Sequence, residues 1–164
     1  MKSQAKKQIP VFERGSIEKF KSDYRLNLCL ECGKCSAVCP MVNLYGRYDY
    51  GRSSRAIVER ILFEPDKVGD EAFWFCLTCE ECTFYCPSGV LFQSFMTDLR
   101  AYMLQRGHTR YAVTCPDCGG YLMPKKELEY LVNLESRKEI AALLSTCPRC
   151  KKKKYMEAIK RMAP

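Results

Sequence analysis

The sequence predicts a mainly α-helical fold with two cysteine-rich loops and a small C-terminal module that carries four more cysteines. Three observations support this prediction. Apolar residues recur at the helical period of 3.6 residues in several segments. The chain has 12 cysteines among its 164 residues, and the first eight of them form two copies of one spacing.

Each copy contains four cysteines and ends in a proline: Cys29-x2-Cys32-x2-Cys35-x3-Cys39-Pro40 and Cys76-x2-Cys79-x2-Cys82-x3-Cys86-Pro87. This is the thiolate spacing that holds a [4Fe–4S] cluster. Three cysteines on one tight loop bind three corners of the cube, and the fourth binds the neighbouring cluster in two-cluster proteins. The proline then turns the chain away from the fourth cysteine.

We therefore predict two [4Fe–4S] clusters with crossed ligands. One set is Cys29, Cys32, Cys35 and Cys86, and the other is Cys76, Cys79, Cys82 and Cys39. A disulfide framework or paired zinc sites would need neither the third cysteine of each copy nor the proline.

The N-terminal residues lack an apolar secretory segment, and no stretch is apolar over the length of a membrane span. These features predict metal-bound thiols in a reducing cytoplasm, in an anaerobic host.

The predicted domains are an N-terminal arm over residues 1–15, a helical cluster domain over 16–108 and a basic module over 109–164. A first helix is expected to begin with Ser16 as its N-cap. Its apolar face would consist of residues at helical spacing: Ile17, Phe20, Tyr24 and Leu28.

Two further helices are expected in the cluster domain. Ser53 or Ser54 would cap the second, which ends at Glu64-Pro65 and buries Ile57, Val58, Ile61 and Leu62. Ser88-Gly89 would open the third, which stops at Gly107. Its apolar residues follow the helical period: Phe92, Phe95, Met96, Leu99, Tyr102 and Met103. Trp74 is expected in the core, and the tyrosines Tyr45, Tyr48 and Tyr50 would pack there or contact a partner.

The C-terminal module contains two Cys-x2-Cys pairs, formed by Cys115, Cys118, Cys147 and Cys150. Such pairs make a tetrahedral four-sulfur site. The segment between them predicts two helices, through Leu128, Leu131 and Val132 and through Ile140, Leu143 and Leu144, whereas a zinc ribbon normally has β-hairpins. Structural Zn²⁺ and a third [4Fe–4S] cluster both accept four thiolates, so both remain open at this point, with a disulfide pair as the remaining alternative.

The basic charge of the chain is concentrated near its C-terminus. Residues 105–164 contain 13 Lys and Arg but only 6 Asp and Glu, against a net charge of +8 for the whole chain. A last helix would place Tyr155, Met156, Ile159 and Met162 on one side. Such a surface can bind an acidic partner, an acidic membrane surface or nucleic acid, or it can simply keep the protein in solution.

Four segments occur in a characteristic order: CLECGKCSAVCPM, GRSSRAIVERILF, WFCLTCEECTFYCPSGV and FQSFMTDLRAYML. Over roughly residues 15–107 the chain resembles the small iron–sulfur subunit of heterodisulfide reductase. The resemblance implies an α-helical two-cluster ferredoxin that serves a larger catalytic protein. That protein would contain flavin or a tungsten cofactor, as in class II benzoyl-CoA reductase complexes, or be heterodisulfide-reductase-like. The C-terminal module is a departure from this family, and so is the absence of the membrane helices found in some of its members.

A cluster with four cysteine ligands has no open position for a substrate, so we expect the chain not to be an enzyme by itself. The sequence has no P-loop, no dinucleotide fingerprint and no Ser–His–Asp set. The hypothesis is an electron-transfer subunit of a cytoplasmic oxidoreductase complex. The alternatives are a freely diffusing ferredoxin and a redox-sensing nucleic-acid-binding protein, the latter suggested by the KKKK run.

Overall fold

The computed structural model describes residues 14–47, 49–65, 70–135 and 143–162. The chain divides into two compact units, Met1–His108 and Thr109–Pro164. Most of the expected N-terminal arm lies outside the described residues, as do Tyr48 and Ile140. Among the helices of the described ranges, none is both long enough and apolar enough to cross a membrane.

The first helix, α1, spans Arg14–Asp23. The prediction that Ser16 is its N-cap is wrong, because Ser16 lies inside the helix. The prediction that Leu28 continues its apolar face is also wrong, since Arg25 adopts a left-handed conformation with φ 57° and breaks the helical period. The following 3₁₀ turn, Leu26–Leu28, buries Leu26 and leaves Leu28 50% exposed.

In the part of the first unit that the structure describes, four short or medium helices follow before the longest one. They are α2 (Lys34–Ala37), α3 (Met41–Tyr45), α4 (Ser54–Phe63) and α5 (Glu81–Phe84). The expected cap of α4 is confirmed, because the Ser53 side chain accepts a hydrogen bond from the Ala56 amide at 3.2 Å. Three residues of its predicted stripe are buried, namely Ile57, Val58 and Ile61, while Leu62 is only half-buried.

Helix α6, Phe92–Gln105, is the centre of the first core. It begins three residues later than predicted: Gly89 takes a left-handed turn with φ 66°, and Leu91 becomes the N-cap. Its end is as predicted, with Gly107 at φ 82° just beyond the last turn. Five residues of the predicted apolar face are buried, and Tyr102 is half-buried; the buried residues are Phe92, Phe95, Met96, Leu99 and Met103.

Aromatic rings join α1 to α6. Phe20 meets Phe95 and Tyr102 edge-on, each with 5.9 Å between ring centroids, and its ring also stacks on Tyr24 at 5.6 Å. Such aromatic pairs are stabilising beyond the apolar area they bury. Trp74 is 2% exposed, which confirms its expected place in the core.

The second unit contains a β-hairpin that helical periodicity did not predict. Strands β1 (Ala112–Thr114) and β2 (Tyr121–Pro124) pair antiparallel on either side of the first cysteine pair. Helix α7 (Lys125–Glu135) confirms the first predicted helical segment, and α8 (Pro148–Met162) carries the expected basic end. The other predicted segment lies mostly outside the described residues.

We expect Phe95→Ala to lower the free energy of unfolding by about 3–5 kcal/mol, because it removes a fully buried ring from the core. Phe63→Ala is the matched control, since the Phe63 side chain is 68% exposed. Its effect should stay within about 0.5 kcal/mol. Thermal unfolding under anaerobic conditions measures both variants, and equal midpoints would contradict this view of the core.

Candidate metal centres

The two cysteine loops of the first unit share one backbone path. The second residue after the first cysteine is left-handed in both, with φ 54° at Glu31 and 52° at Thr78. The residue after the second cysteine is left-handed too, with φ 78° at Gly33 and 68° at Glu80. Left-handed conformations are costly for residues other than glycine, and β-branched Thr78 is an outlier. The two loops, which share the spacing of three thiols within seven residues, therefore also share a left-handed backbone path.

Each loop then runs into a one-turn helix that contains its third cysteine. Gly33 caps α2, which carries Cys35, and Glu80 caps α5, which carries Cys82. The left-handed cap turns the chain so that the third cysteine returns toward the first. The two loops are therefore structural repeats, although glycine occupies the cap position in only one of them.

Backbone amides point at the sulfur atoms of the first and fourth cysteines. The Thr78 amide donates to Cys76 Sγ at 3.3 Å, and the Glu31 amide donates to Cys29 in the same way. At the fourth positions, Met41 donates to Cys39, and Val90 donates to Cys86 Sγ at 3.4 Å. Such bonds stabilise thiolates and tune the potential of a bound cluster.

The fourth cysteine of the first loop lies with the first three of the second. Four thiols line one pocket: Cys39, Cys76, Cys79 and Cys82. Burial raises the pKa of Cys82 to about 12, so this thiol loses its proton readily only when a metal cation takes its place. A pocket lined by four thiols, with amides directed at two of them, fits the donor set of a [4Fe–4S] cluster.

Cys86, in turn, lies near the first loop. Burial raises the pKa of Cys29, and the charges of Cys35 and Cys86 act in the same direction, which places these thiols close together. The two sets also adjoin each other. Burial raises the pKa of Cys39 and Cys82, and the charge of Cys35, which belongs to the first loop, raises both further.

Arg100 is a residue of this site that sequence reasoning missed. It projects from α6 and is only 3% exposed. Its Nε and Nη2 donate to the Phe73 carbonyl at 2.9 and 2.7 Å, and Nη2 also donates to the Cys76 carbonyl. Burial raises the pKa of the Cys76 thiol, while the guanidinium of Arg100 lowers it. An arginine within an apolar helical stripe was the available signal, because buried arginines are rare without polar partners.

The four cysteines of the second unit converge as well. The sulfur atoms of Cys115, Cys118, Cys147 and Cys150 all lie within 4.8 Å of one another. The first pair follows β1, and the second pair lies at the start of α8. Among the described residues, this is the group of His, Cys, Asp and Glu side chains close enough together to hold a single metal ion.

Comparison with known proteins agrees with the cysteine pattern. Residues 25–90 match the 4Fe-4S dicluster domain family. A subunit of the ferredoxin:CoB-CoM heterodisulfide reductase of Methanosarcina mazei is 28% identical, and the match covers 73% of this chain and 83% of that protein. An iron-sulfur subunit of the CoB–CoM heterodisulfide reductase of Methanocaldococcus jannaschii is also 28% identical, over 53% of this chain and 45% of that protein.

The glycolate oxidase iron-sulfur subunit of Escherichia coli is 31% identical over 51% of this chain, but the match covers only 21% of that longer protein. These relatives give no support to the expected link with tungsten-dependent benzoyl-CoA reductase. No solved structure matches this chain.

We expect Arg100→Met to destabilise the first unit by about 3 kcal/mol, because the carbonyls of Phe73 and Cys76 would lose a buried donor. Arg106→Met is the control: Arg106 is exposed and lies over the Tyr102 ring, with 5.0 Å from Cζ to the centroid. Thermal unfolding of both variants tests the prediction. A loss no larger for Arg100→Met than for Arg106→Met would show that Arg100 does not hold the cysteine loop to α6.

Proposed function

We propose that this chain, an iron–sulfur protein similar to the small iron–sulfur subunit of heterodisulfide reductase, is an electron-transfer subunit of a cytoplasmic oxidoreductase complex in an anaerobic host. It would relay single electrons between a larger catalytic subunit and other redox subunits. The observation that carries the proposal is the pocket in which Cys39 joins the first three cysteines of the second loop. That arrangement provides four thiolates for one cluster and leaves Cys86 for the other.

The proposed ligands are therefore crossed between the loops. One cluster would be held by Cys29, Cys32, Cys35 and Cys86, and the other by Cys76, Cys79, Cys82 and Cys39. The pocket lining supports the second set, and the proximity of Cys29, Cys35 and Cys86 supports the first. When bound, a [4Fe–4S] cluster accepts and releases one electron. With four cysteines each, neither cluster would keep a coordination position for a substrate.

The exposure of the loops suits a relay. The middle cysteine of each loop is exposed, Cys32 in the first and Cys79 in the second. Each ligand set thus has one cysteine that another protein can contact. Cys35 lies close to Cys39 and Cys82, so the interior sides of the two sets adjoin. An electron could enter at one exposed edge, cross between the sets and leave at the other.

Exposed apolar side chains flank the first set. Leu28 and Leu30 lie on either side of Cys29 and are 50% and 70% exposed. Phe84 and Tyr85, which lie between Cys82 of the second set and Cys86 of the first, are 80% and 49% exposed. Large apolar side chains left in solvent near a functional site are typical of protein contact surfaces. We assign the catalytic partner to this side, and its own cofactor, a flavin or another redox centre, would lie opposite Cys32.

The crossed ligands can be tested in a chain that keeps only the second cluster. Cys32→Ala with Cys35→Ala should leave about four iron atoms per chain. Adding Cys39→Ala should then remove the remaining iron, because Cys39 would be a ligand of the cluster that is left. Adding Cys86→Ala instead is the matched control and should leave the iron in place. The reverse result would mean that each loop binds its own cluster.

The relay itself can be tested on anaerobically purified protein. The reduced chain should deliver about two electrons to a one-electron acceptor, one per cluster, and EPR should show a reduced [4Fe–4S] signal.

In extracts of the organism that makes it, the chain should migrate with a larger redox-active subunit. A chain that remains a monomer in such extracts would instead be a freely diffusing ferredoxin, and the subunit proposal would fail.

A further inference from the structure

We propose that Cys115, Cys118, Cys147 and Cys150 bind one Zn²⁺ ion, which fixes the structure of the second unit, rather than a third [4Fe–4S] cluster. The inference concerns a site outside the matched dicluster region, residues 25–90. It does not depend on the electron-transfer function. It rests on the separation of the sulfur atoms, on the hydrogen bonds to them and on what the site joins together.

The sulfur separations fit a single ion. Tetrahedral Zn²⁺ with Zn–S bonds of about 2.3 Å places its sulfur ligands about 3.8 Å apart. Here the Sγ atoms of Cys118 and Cys147 are 3.7 Å apart, and all four lie within 4.8 Å of one another. In a cubane each thiolate binds a different iron atom, which separates the sulfurs by about 6 Å. A third cluster would force this group apart.

The first cysteine pair lies in a tight turn, in which glycines leave room for the sulfur atoms to lie close to the backbone. The Cys115 amide donates to the Gly120 carbonyl and the Gly119 amide to the Cys115 carbonyl, both at 2.8 Å. Gly119 has φ 69°, and a Cβ on Gly120 would lie 3.4 Å from Cys118 Sγ. The Cys147 amide donates to Cys115 Sγ at 3.4 Å, so the second cysteine pair supplies a hydrogen bond to a sulfur atom of the first. The turn and the amide together favour thiolates aimed at one point.

Positively charged groups lie around the site. Four thiolates and one divalent ion together have a net charge of −2, which such groups stabilise. Cys147 and Cys150 lie at the N-terminal end of α8, where the helix dipole is positive. The Arg149 side chain lies beside Cys118, with which it lines one surface pocket. Lys154 pairs with Asp117 at 2.7 Å, next to the first cysteine pair. Part of the lysine run is thus a local counter-charge to the thiolates.

The site also explains how α8 is held. The helix has 15 residues, and none of them is buried. Its apolar side chains are exposed: Tyr155, Met156, Ile159 and Met162. A helix without buried residues gains little from packing, so the metal is the link between α8 and the β1–β2 hairpin. Thiolate ligands and tetrahedral geometry favour zinc, which binds a given site more tightly than Fe²⁺ does.

The test is metal analysis of the full chain, purified anaerobically, with a reciprocal pair of variants. The native chain should contain about one zinc. Cys150→Ser should lose the zinc and keep all of its iron, and the retained iron also shows that this variant has folded. Cys79→Ser is the matched control and should keep the zinc but lose iron. X-ray absorption at the zinc edge should show four sulfur ligands at about 2.3 Å.

Three results would overturn the proposal. A fall of about four iron atoms in Cys150→Ser, with no zinc in the native chain, would mean a third cluster. A fall of about one iron atom without zinc would mean mononuclear iron. Zinc that survives Cys150→Ser would lie elsewhere. The electron-transfer proposal fails separately, because it depends on iron bound by the cysteines of the first unit.

Discussion

The close spacing of three thiols in each loop is the constraint on which the first unit depends. In both loops, the seven residues that carry three thiols pass through left-handed conformations, at Glu31 and Gly33 and again at Thr78 and Glu80. The strain stays local, because the helix that carries the third cysteine begins at once. A fourth sulfur must then come from outside these seven residues. Cys39, from the first loop, lines the same pocket as Cys76, Cys79 and Cys82 and would supply one in the proposed arrangement.

The surrounding helices hold this strained backbone in place. Helix α6 supplies both the apolar core and Arg100, whose guanidinium bonds the carbonyls of Phe73 and Cys76 where the second loop begins. Without that donor, two carbonyl groups in a nearly dry environment would lose their hydrogen bonds, a cost that apolar packing does not recover. The arginine therefore connects core packing to the geometry of the cysteine loop.

The two units use cysteine differently. In the first, burial raises the pKa of Cys29, Cys39 and Cys76, and it raises that of Cys82 to about 12. In the second, hydrogen bonds have the largest effect: the Cys147 amide lowers the pKa of Cys115 to about 6, and the Cys147 side chain raises the pKa of Cys150 to about 12. The first arrangement suits a cluster shielded from water, whose charge changes by one electron at a time. The second suits an ion of fixed charge near the surface, as in the zinc proposal.

The sequence predicted those features that follow from local periodicity and spacing. The buried faces of α4 and α6 were evident from apolar repeats, and Gly107 marked the end of α6. The role of Leu28 was not predictable, because the left-handed turn that precedes it is at Arg25, which is not a glycine. The β1–β2 hairpin was missed because its strands have three and four residues, too few to show a clear alternation. Arg100 requires tertiary knowledge, since only the fold brings α6 beside Phe73 and Cys76.

The proximity of Cys35 to Cys39 and Cys82 has a consequence for how the chain would store charge. In the proposed arrangement, an electron on one cluster adds negative charge beside the other cluster, in a region of low dielectric constant. Coulomb repulsion would then make the second electron harder to add than the first. Two sites with similar surroundings would titrate as an anticooperative pair, and the singly reduced chain would be the main form over the potential range between the two steps.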